Sequence, residues 1–140
     1  MSEIISATGS CLCGSVKLET QSMNTSLGVC HCNMCRKWST GPLMTVSCGD
    51  DLKISGQEFI TTFNSSDWAE RAFCKKCGSN LYYHLKESNQ FIVSAGVFGD
   101  QNLHFDHQVF IDEKPEYYEF SNKTKNMTGA ELFAAFSSET

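Results

Sequence analysis

The chain has 140 residues, a length that predicts one domain, residues 1–140, around one hydrophobic core. Its formal net charge of −5 fits a phosphate backbone poorly, so nucleic acid is not an expected partner. No apolar run approaches the roughly 18 residues of a membrane span, so no membrane association is expected. Residues 1–10 lack the basic start and apolar run of a signal peptide, which predicts a cytoplasmic protein.

Short apolar runs separated by frequent turns predict a mainly β fold. Residues 14–20 alternate apolar and charged side chains, as a half-buried strand does. Residues 32–39 contain no Gly or Pro and predict one or two helical turns, ended by Gly41-Pro42. Further strands are predicted over residues 27–30, 43–46, 52–55, 59–63, 71–73, 81–85, 91–95, 107–111 and 117–120.

The C-terminal residues predict a short helix. Thr128 and Glu131 have the spacing of a capping box, in which each side chain bonds a free backbone N–H at the helix start. Leu132, Phe133 and Phe136 then form an apolar stripe.

Seven of the eight cysteines fall in three clusters: Cys11 and Cys13; Cys30, Cys32 and Cys35; Cys74 and Cys77. Seven thiols divide naturally into four plus three. A zinc ion held by four protein ligands is closed and structural, while one held by three keeps a position open for chemistry. The pattern therefore predicts two zinc sites, one of each kind.

Cys74 and Cys77 form the strongest half-site, because a CxxC turn lets two sulfurs converge on one ion. Gly78 suits the left-handed residue that such a turn often needs. Cys11 and Cys13 are the natural completion of a four-sulfur site.

Cys30, Cys32 and Cys35 then remain as three ligands with a vacancy. Spacing alone would also permit Cys32 and Cys35 to close a site with the CxxC turn. A disulfide framework is the other alternative, but clustered cysteines in a chain without a secretory signal are more typical of metal binding. Cys48 stands alone, and we expect it to be a small buried apolar residue.

Three motifs, in this order, resemble the glutathione-dependent formaldehyde-activating enzyme family, also called centromere-protein-V-like. They are Ser-Cys-Leu-Cys-Gly-Ser-Val at 10–16, Cys-His-Cys-Asn-Met-Cys-Arg-Lys at 30–37, and Phe-Cys-Lys-Lys-Cys-Gly-Ser at 73–79. Residues 96–100 and 107–112, with Pro115 and Tyr118, fit the C-terminal half of the family. Family members often carry Trp within residues 115–118, where this chain has Pro-Glu-Tyr-Tyr.

The resemblance implies an Mss4-like fold, in which small coiled antiparallel sheets are held together by zinc. The four-sulfur zinc would join Cys11 and Cys13 to Cys74 and Cys77. The other three clustered cysteines would hold the reactive zinc and act as the catalytic residues. The implied reaction combines a thiol such as glutathione with a small aldehyde, formaldehyde, to give S-(hydroxymethyl)glutathione, which makes the protein a carbon–sulfur lyase.

Two alternatives belong to other functional classes. The Mss4-like fold also serves as a non-catalytic partner of small GTPases, so a zinc-stabilised binding module is the main rival. A sulfoxide reductase on a related fold would need a redox-active cysteine, for which Cys48 is a poor candidate.

The sequence indicates the roles of the basic and histidine side chains less specifically than those of the cysteines. Glutathione carries two carboxylates, and Arg36, Lys37 and Arg71 are candidates to bind one. His31 lies between two proposed ligands, and we expect it at the surface or behind the ligands rather than on the metal. Structural roles are expected for the other histidines, His84, His104 and His107.

Overall fold

The structure is a computed structural model that describes residues 2–138, with side chains described through residue 135. Within that range it contains eleven strands and two α-helices, which confirms the mainly β prediction. The elements are β1 (Ile4–Ser10), β2 (Lys17–Asn24), β3 (Ser26–Cys30), α1 (Asn33–Ser39), β4 (Leu43–Ser47), β5 (Lys53–Ser55), β6 (Ile60–Asn64), β7 (Ala69–Cys74), β8 (Asn80–Leu85), β9 (Gln90–Ser94), β10 (His104–Val109), β11 (Lys125–Met127) and α2 (Gly129–Ser138).

The strands form two sheets. The smaller sheet has the order β1-β2-β5, and the larger has the order β11-β10-β3-β4-β9-β8-β7-β6. Neighbours are antiparallel except that β10 runs parallel to both β3 and β11. No helix among residues 2–138 is long and apolar enough to cross a membrane.

The main core lies between the two sheets. The small sheet contributes Leu18 and Met23, and the large sheet contributes Val46, Leu81 and Val93, all at most 1% exposed. A second, smaller apolar cluster surrounds Cys30, Cys35 and Leu43. Since successive side chains of a strand point to opposite faces, one sheet can serve both clusters.

The C-terminal helix begins as predicted. The Thr128 hydroxyl accepts a hydrogen bond from the N–H of Glu131 at 3.1 Å, and the Glu131 carboxylate accepts one from the N–H of Thr128 at 2.9 Å. Phe133 is 56% exposed and meets Phe110 edge-on. The side chain of Phe136, the third member of the predicted stripe, lies outside the described residues.

Three segments differ from the sequence-based expectations. Strands β1 and β11 were not predicted. The strand predicted over residues 117–120 is wrong, because that segment forms no ladder with another strand. One backbone carbonyl of this segment is used locally instead: the Lys114 ammonium donates to the carbonyl of Tyr118 at 2.6 Å, and also to that of Pro115, just before the segment, at 3.0 Å.

Candidate metal centres

Four cysteine sulfurs converge where the loop after β1 meets the turn after β7. The Sγ atoms of Cys11, Cys13, Cys74 and Cys77 all lie within 4.8 Å of one another. The separation is 3.6 Å from Cys11 to Cys13 and 3.8 Å from Cys13 to Cys74. A tetrahedral zinc with Zn–S bonds of about 2.3 Å needs sulfurs about 3.8 Å apart, whereas a disulfide needs about 2 Å. The cluster therefore fits a tetrahedral metal ion, and all eight cysteines are free.

The turn after β7 has the geometry expected of a metal-binding CxxC. Gly78 has φ of +80° and donates its N–H to the carbonyl of Cys74 at 2.7 Å. The Ser79 hydroxyl lies 3.2 Å from Cys77 Sγ and accepts a hydrogen bond from the N–H of Leu12 at 3.0 Å. The hydrogen bond from Ser79 lowers the pKa of Cys77 to about 5. Ser79 thus favours the thiolate and also connects the two cysteine-bearing loops.

The other three clustered cysteines converge at the junction of β3 and α1. The Sγ atoms of Cys30, Cys32 and Cys35, which we call the trio, also lie within 4.8 Å of one another. Cys30 ends β3, and Cys32 caps α1, its sulfur accepting a hydrogen bond from the N–H of Cys35 at 3.3 Å. Among the described residues no fourth Cys, His, Asp or Glu completes this cluster. The trio could therefore hold a metal ion while leaving one coordination position open.

Hydrogen bonds among the three thiols govern charge within the trio. Hydrogen bonds from Cys30 and Cys35 lower the pKa of Cys32 to about 2. The same hydrogen bond with Cys32 raises the pKa of Cys30. One thiolate is therefore favoured and a second is opposed, so full deprotonation of the trio requires a nearby cation.

Aromatic side chains pack around the trio. Trp38, Tyr83 and Phe110 contact the buried cluster that contains Cys30 and Cys35. Burial raises the pKa of Tyr83, so it stays a phenol. Trp38 follows Cys35 by three residues on α1, and this spacing places both side chains on one face of the helix. The spacing could have identified Trp38 from the sequence as a neighbour of the trio. Tyr83 carries no comparable signal, because its position depends on the pairing of β8 with β7.

The three basic candidates occupy different environments. Lys37 is exposed, and Arg36 donates its Nε–H to the carbonyl of His31 at 2.8 Å. Arg71 is only 5% exposed, and its Nη2 donates to Cys35 Sγ at 3.5 Å. Of the three, Arg71 is the one whose described side-chain contacts include a trio sulfur.

The sequence profile of the glutathione-dependent formaldehyde-activating enzymes matches residues 6–113, which contain all seven clustered cysteines. The chain belongs to this family. It is 40% identical over 126 residues to a Schizosaccharomyces pombe protein named as an uncharacterised lyase, an alignment covering 89% of this chain and 92% of that protein. A crystal structure of a Rhodobacter sphaeroides protein shares the fold, with a TM-score of 0.58 and 23% identity, over 68% of this chain and 90% of the other.

In this member of the formaldehyde-activating family, His31 lies behind the trio. It is fully buried and joins neither sulfur cluster, so of the two positions expected for it, at the surface or behind the ligands, the structure shows the second. Its Nε2 lies 2.7 Å from the side-chain amide oxygen Oε1 of Gln108, which can only accept, so Nε2 donates there. In the neutral ring, Nδ1 then accepts from the Tyr118 hydroxyl at 2.7 Å. Burial lowers the pKa of His31, in keeping with a neutral ring. Tyr118 lies beyond the residues that the family profile matches.

The remaining polar clusters do not resemble nucleophilic sites. Both the Ser26 hydroxyl and His107 Nδ1 bond the same oxygen of Asp106, at 2.5 and 2.6 Å. The Ser26 hydroxyl also lies 3.3 Å from His107 Nδ1, but its shorter contact is with the carboxylate, to which it donates, so the imidazole is not placed to take its proton. His84 lies 3.4 Å from Glu70 on the neighbouring strand. Both histidines thus have a carboxylate beside them, and the structural roles expected for them stay a prediction.

Cys48 is fully buried in the main core. Burial raises the pKa of its thiol to about 11, so it is a poor nucleophile and a poor candidate for redox chemistry.

Proposed function

We propose that this chain is a zinc-dependent carbon–sulfur lyase that reversibly joins a thiol such as glutathione to a small aldehyde such as formaldehyde. The observation that carries the proposal is the trio, with three converging sulfurs and no fourth protein ligand among the described residues. The family description and the name of the lyase relative support the same class of reaction.

We further propose that the four-sulfur cluster holds a structural zinc ion and that Cys30, Cys32 and Cys35 hold a second one. Thiolate sulfur is a preferred zinc ligand, and four ligands close the coordination shell whereas three do not. Zinc at the trio would supply a Lewis acid with one open position for a substrate thiol or aldehyde oxygen.

The reaction is an addition without net oxidation or reduction. A bond forms between the thiol sulfur and the aldehyde carbon, the carbon–oxygen π bond breaks, and the thiol proton is transferred to the oxygen. The product is S-(hydroxymethyl)glutathione, and the reverse reaction is the lyase direction. The side chains of Trp38 and Tyr83 would exclude water beside the trio, which strengthens electrostatic interactions there.

The test compares Cys35→Ser with Cys48→Ser, a matched substitution of another buried cysteine outside both clusters. Thiols add to formaldehyde without an enzyme, so NMR exchange spectroscopy should measure the rate above that background. We expect wild type and Cys48→Ser to bind two zinc ions and accelerate exchange. Cys35→Ser should retain its fold and one zinc ion but lose the acceleration.

Metal stoichiometry also separates this proposal from the binding-module alternative. One zinc ion per wild-type chain, with no acceleration of exchange, would favour a non-catalytic module held together by the four-sulfur site. A folded Cys35→Ser protein that lacks the second zinc but retains the wild-type rate would refute the mechanism.

A further inference from the structure

Strand β7 presents different side chains to the two faces of the large sheet. Ala72 and Cys74 lie in the main core between the sheets. Arg71 points to the opposite face, where it reaches Cys35. Tyr83 is the residue directly paired with Arg71 on β8. Arg71 is therefore held by the interior of the sheet and not by a mobile loop.

The guanidinium of Arg71 is buried, and no carboxylate of the described residues is paired with it. Its Nε and Nη1 atoms are buried and have no hydrogen-bond partner in the part of the chain that the structure describes. The group lies 5.0 Å from the centre of the Trp38 ring and 5.3 Å from that of Tyr83, and both contacts favour a cation.

A buried cation is costly unless a negative charge lies close to it. The trio is the group that can provide that charge, because Arg71 Nη2 lies 3.5 Å from Cys35 Sγ. Three thiolates, one divalent metal ion and one guanidinium sum to −3 + 2 + 1 = 0. The four-sulfur cluster sums to −4 + 2 = −2, and it includes the exposed residue Cys13, so solvent can screen that charge.

We propose that Arg71 is a positioning residue whose fixed positive charge makes the metal-loaded trio electrically neutral. This proposal rests on the proposed metal site at the trio. Neutrality stabilises three closely spaced thiolates, and it also spares an incoming thiolate from meeting a site of net negative charge. Arginine suits this position because its planar, weakly hydrated cation can stack between two rings.

The test measures the affinity of Co²⁺ for the trio by competition with a chromophoric chelator, followed through the sulfur-to-cobalt charge-transfer absorption. Arg71→Met removes the charge while keeping an apolar stem. Arg71→Lys keeps the charge, and Lys37→Met removes an exposed charge from the same region. We expect Arg71→Met to retain the first metal ion and to bind the second about 10- to 100-fold more weakly. Arg71→Lys should recover most of that affinity, and Lys37→Met should match wild type.

Each other outcome has a definite meaning. Wild-type protein that binds only one metal ion would refute the proposed function together with this inference. A folded Arg71→Met protein with wild-type affinity at the trio would refute the inference alone. If Arg71→Met proves insoluble, the affinity of Arg71→Lys for Co²⁺ at the trio tests the inference instead. Because this variant keeps the positive charge, an affinity about tenfold or more below that of wild type would contradict a role based on charge.

Discussion

Substitution of Cys77 by serine tests the structural role of the four-sulfur cluster. Serine replaces one sulfur with a hydroxyl, a much weaker zinc ligand, and leaves three cysteines in a site that fits four. The cluster connects Cys13 to Cys74, which are 61 residues apart. Closing a loop of that length in the unfolded chain corresponds to about 4 kcal/mol in the chain-entropy treatment of cross-links. Domains of this size are stable by only about 5–15 kcal/mol.

We therefore expect Cys77→Ser to be insoluble or to melt at least about 10 °C below wild type. Thermal unfolding followed by circular dichroism, with zinc content measured on the same samples, gives the result. Cys48→Ser is the matched control, because it changes a cysteine that belongs to neither cluster. A strong chelator added to wild type should reproduce the loss of stability. Soluble Cys77→Ser protein with an unchanged melting temperature would refute the structural role of this cluster.

Three other substitutions test contacts elsewhere. Tyr118→Phe removes the hydrogen bond to His31 and should destabilise the fold by about 1 kcal/mol, measured by urea denaturation; an unchanged midpoint would contradict the assigned network. Gly28→Ala should cost about 1–3 kcal/mol in the same assay, because a methyl group at Gly28 would overlap the His107 imidazole; wild-type stability would contradict this packing. Thr128→Ala should cost about 1 kcal/mol through loss of the helix cap, and hydrogen exchange should increase in the first turn of α2; unchanged exchange would contradict the capping role.

Local patterns predicted much of the fold. The alternation that predicted a strand over residues 14–20 lies at the start of β2, and the helical turns predicted after Cys32 are α1. The capping box predicted α2 because its hydrogen bonds involve only neighbouring residues. The cysteine spacing permitted two groupings, and the structure shows the preferred one, in which Cys11 and Cys13 lie beside the CxxC turn; the metal that the sulfurs bind and their roles stay predictions.

Pairings between distant segments were less accessible from sequence. Strand β1 alternates exposed and less exposed residues, but its inward positions are Ile5, Ala7 and Gly9, so its sequence shows only a weak alternation of hydrophobicity. Strand β10 lies parallel to β3 even though the paired residues are 78 or 79 positions apart in the sequence, and no local pattern encodes that partner. The aromatic surroundings of Arg71 depend on the same kind of long-range contact.

The free state of all eight cysteines has a chemical consequence for a protein proposed to handle thiols. A disulfide that joined the loop after β1 to the turn after β7 would be attacked by thiolates through exchange, and the substrate itself would be the reductant. Zinc has no redox chemistry of its own, so a zinc-closed connection would not be consumed in that way. The four-sulfur cluster would thus let the fold persist at thiol concentrations that would dismantle a disulfide-linked protein of the same size.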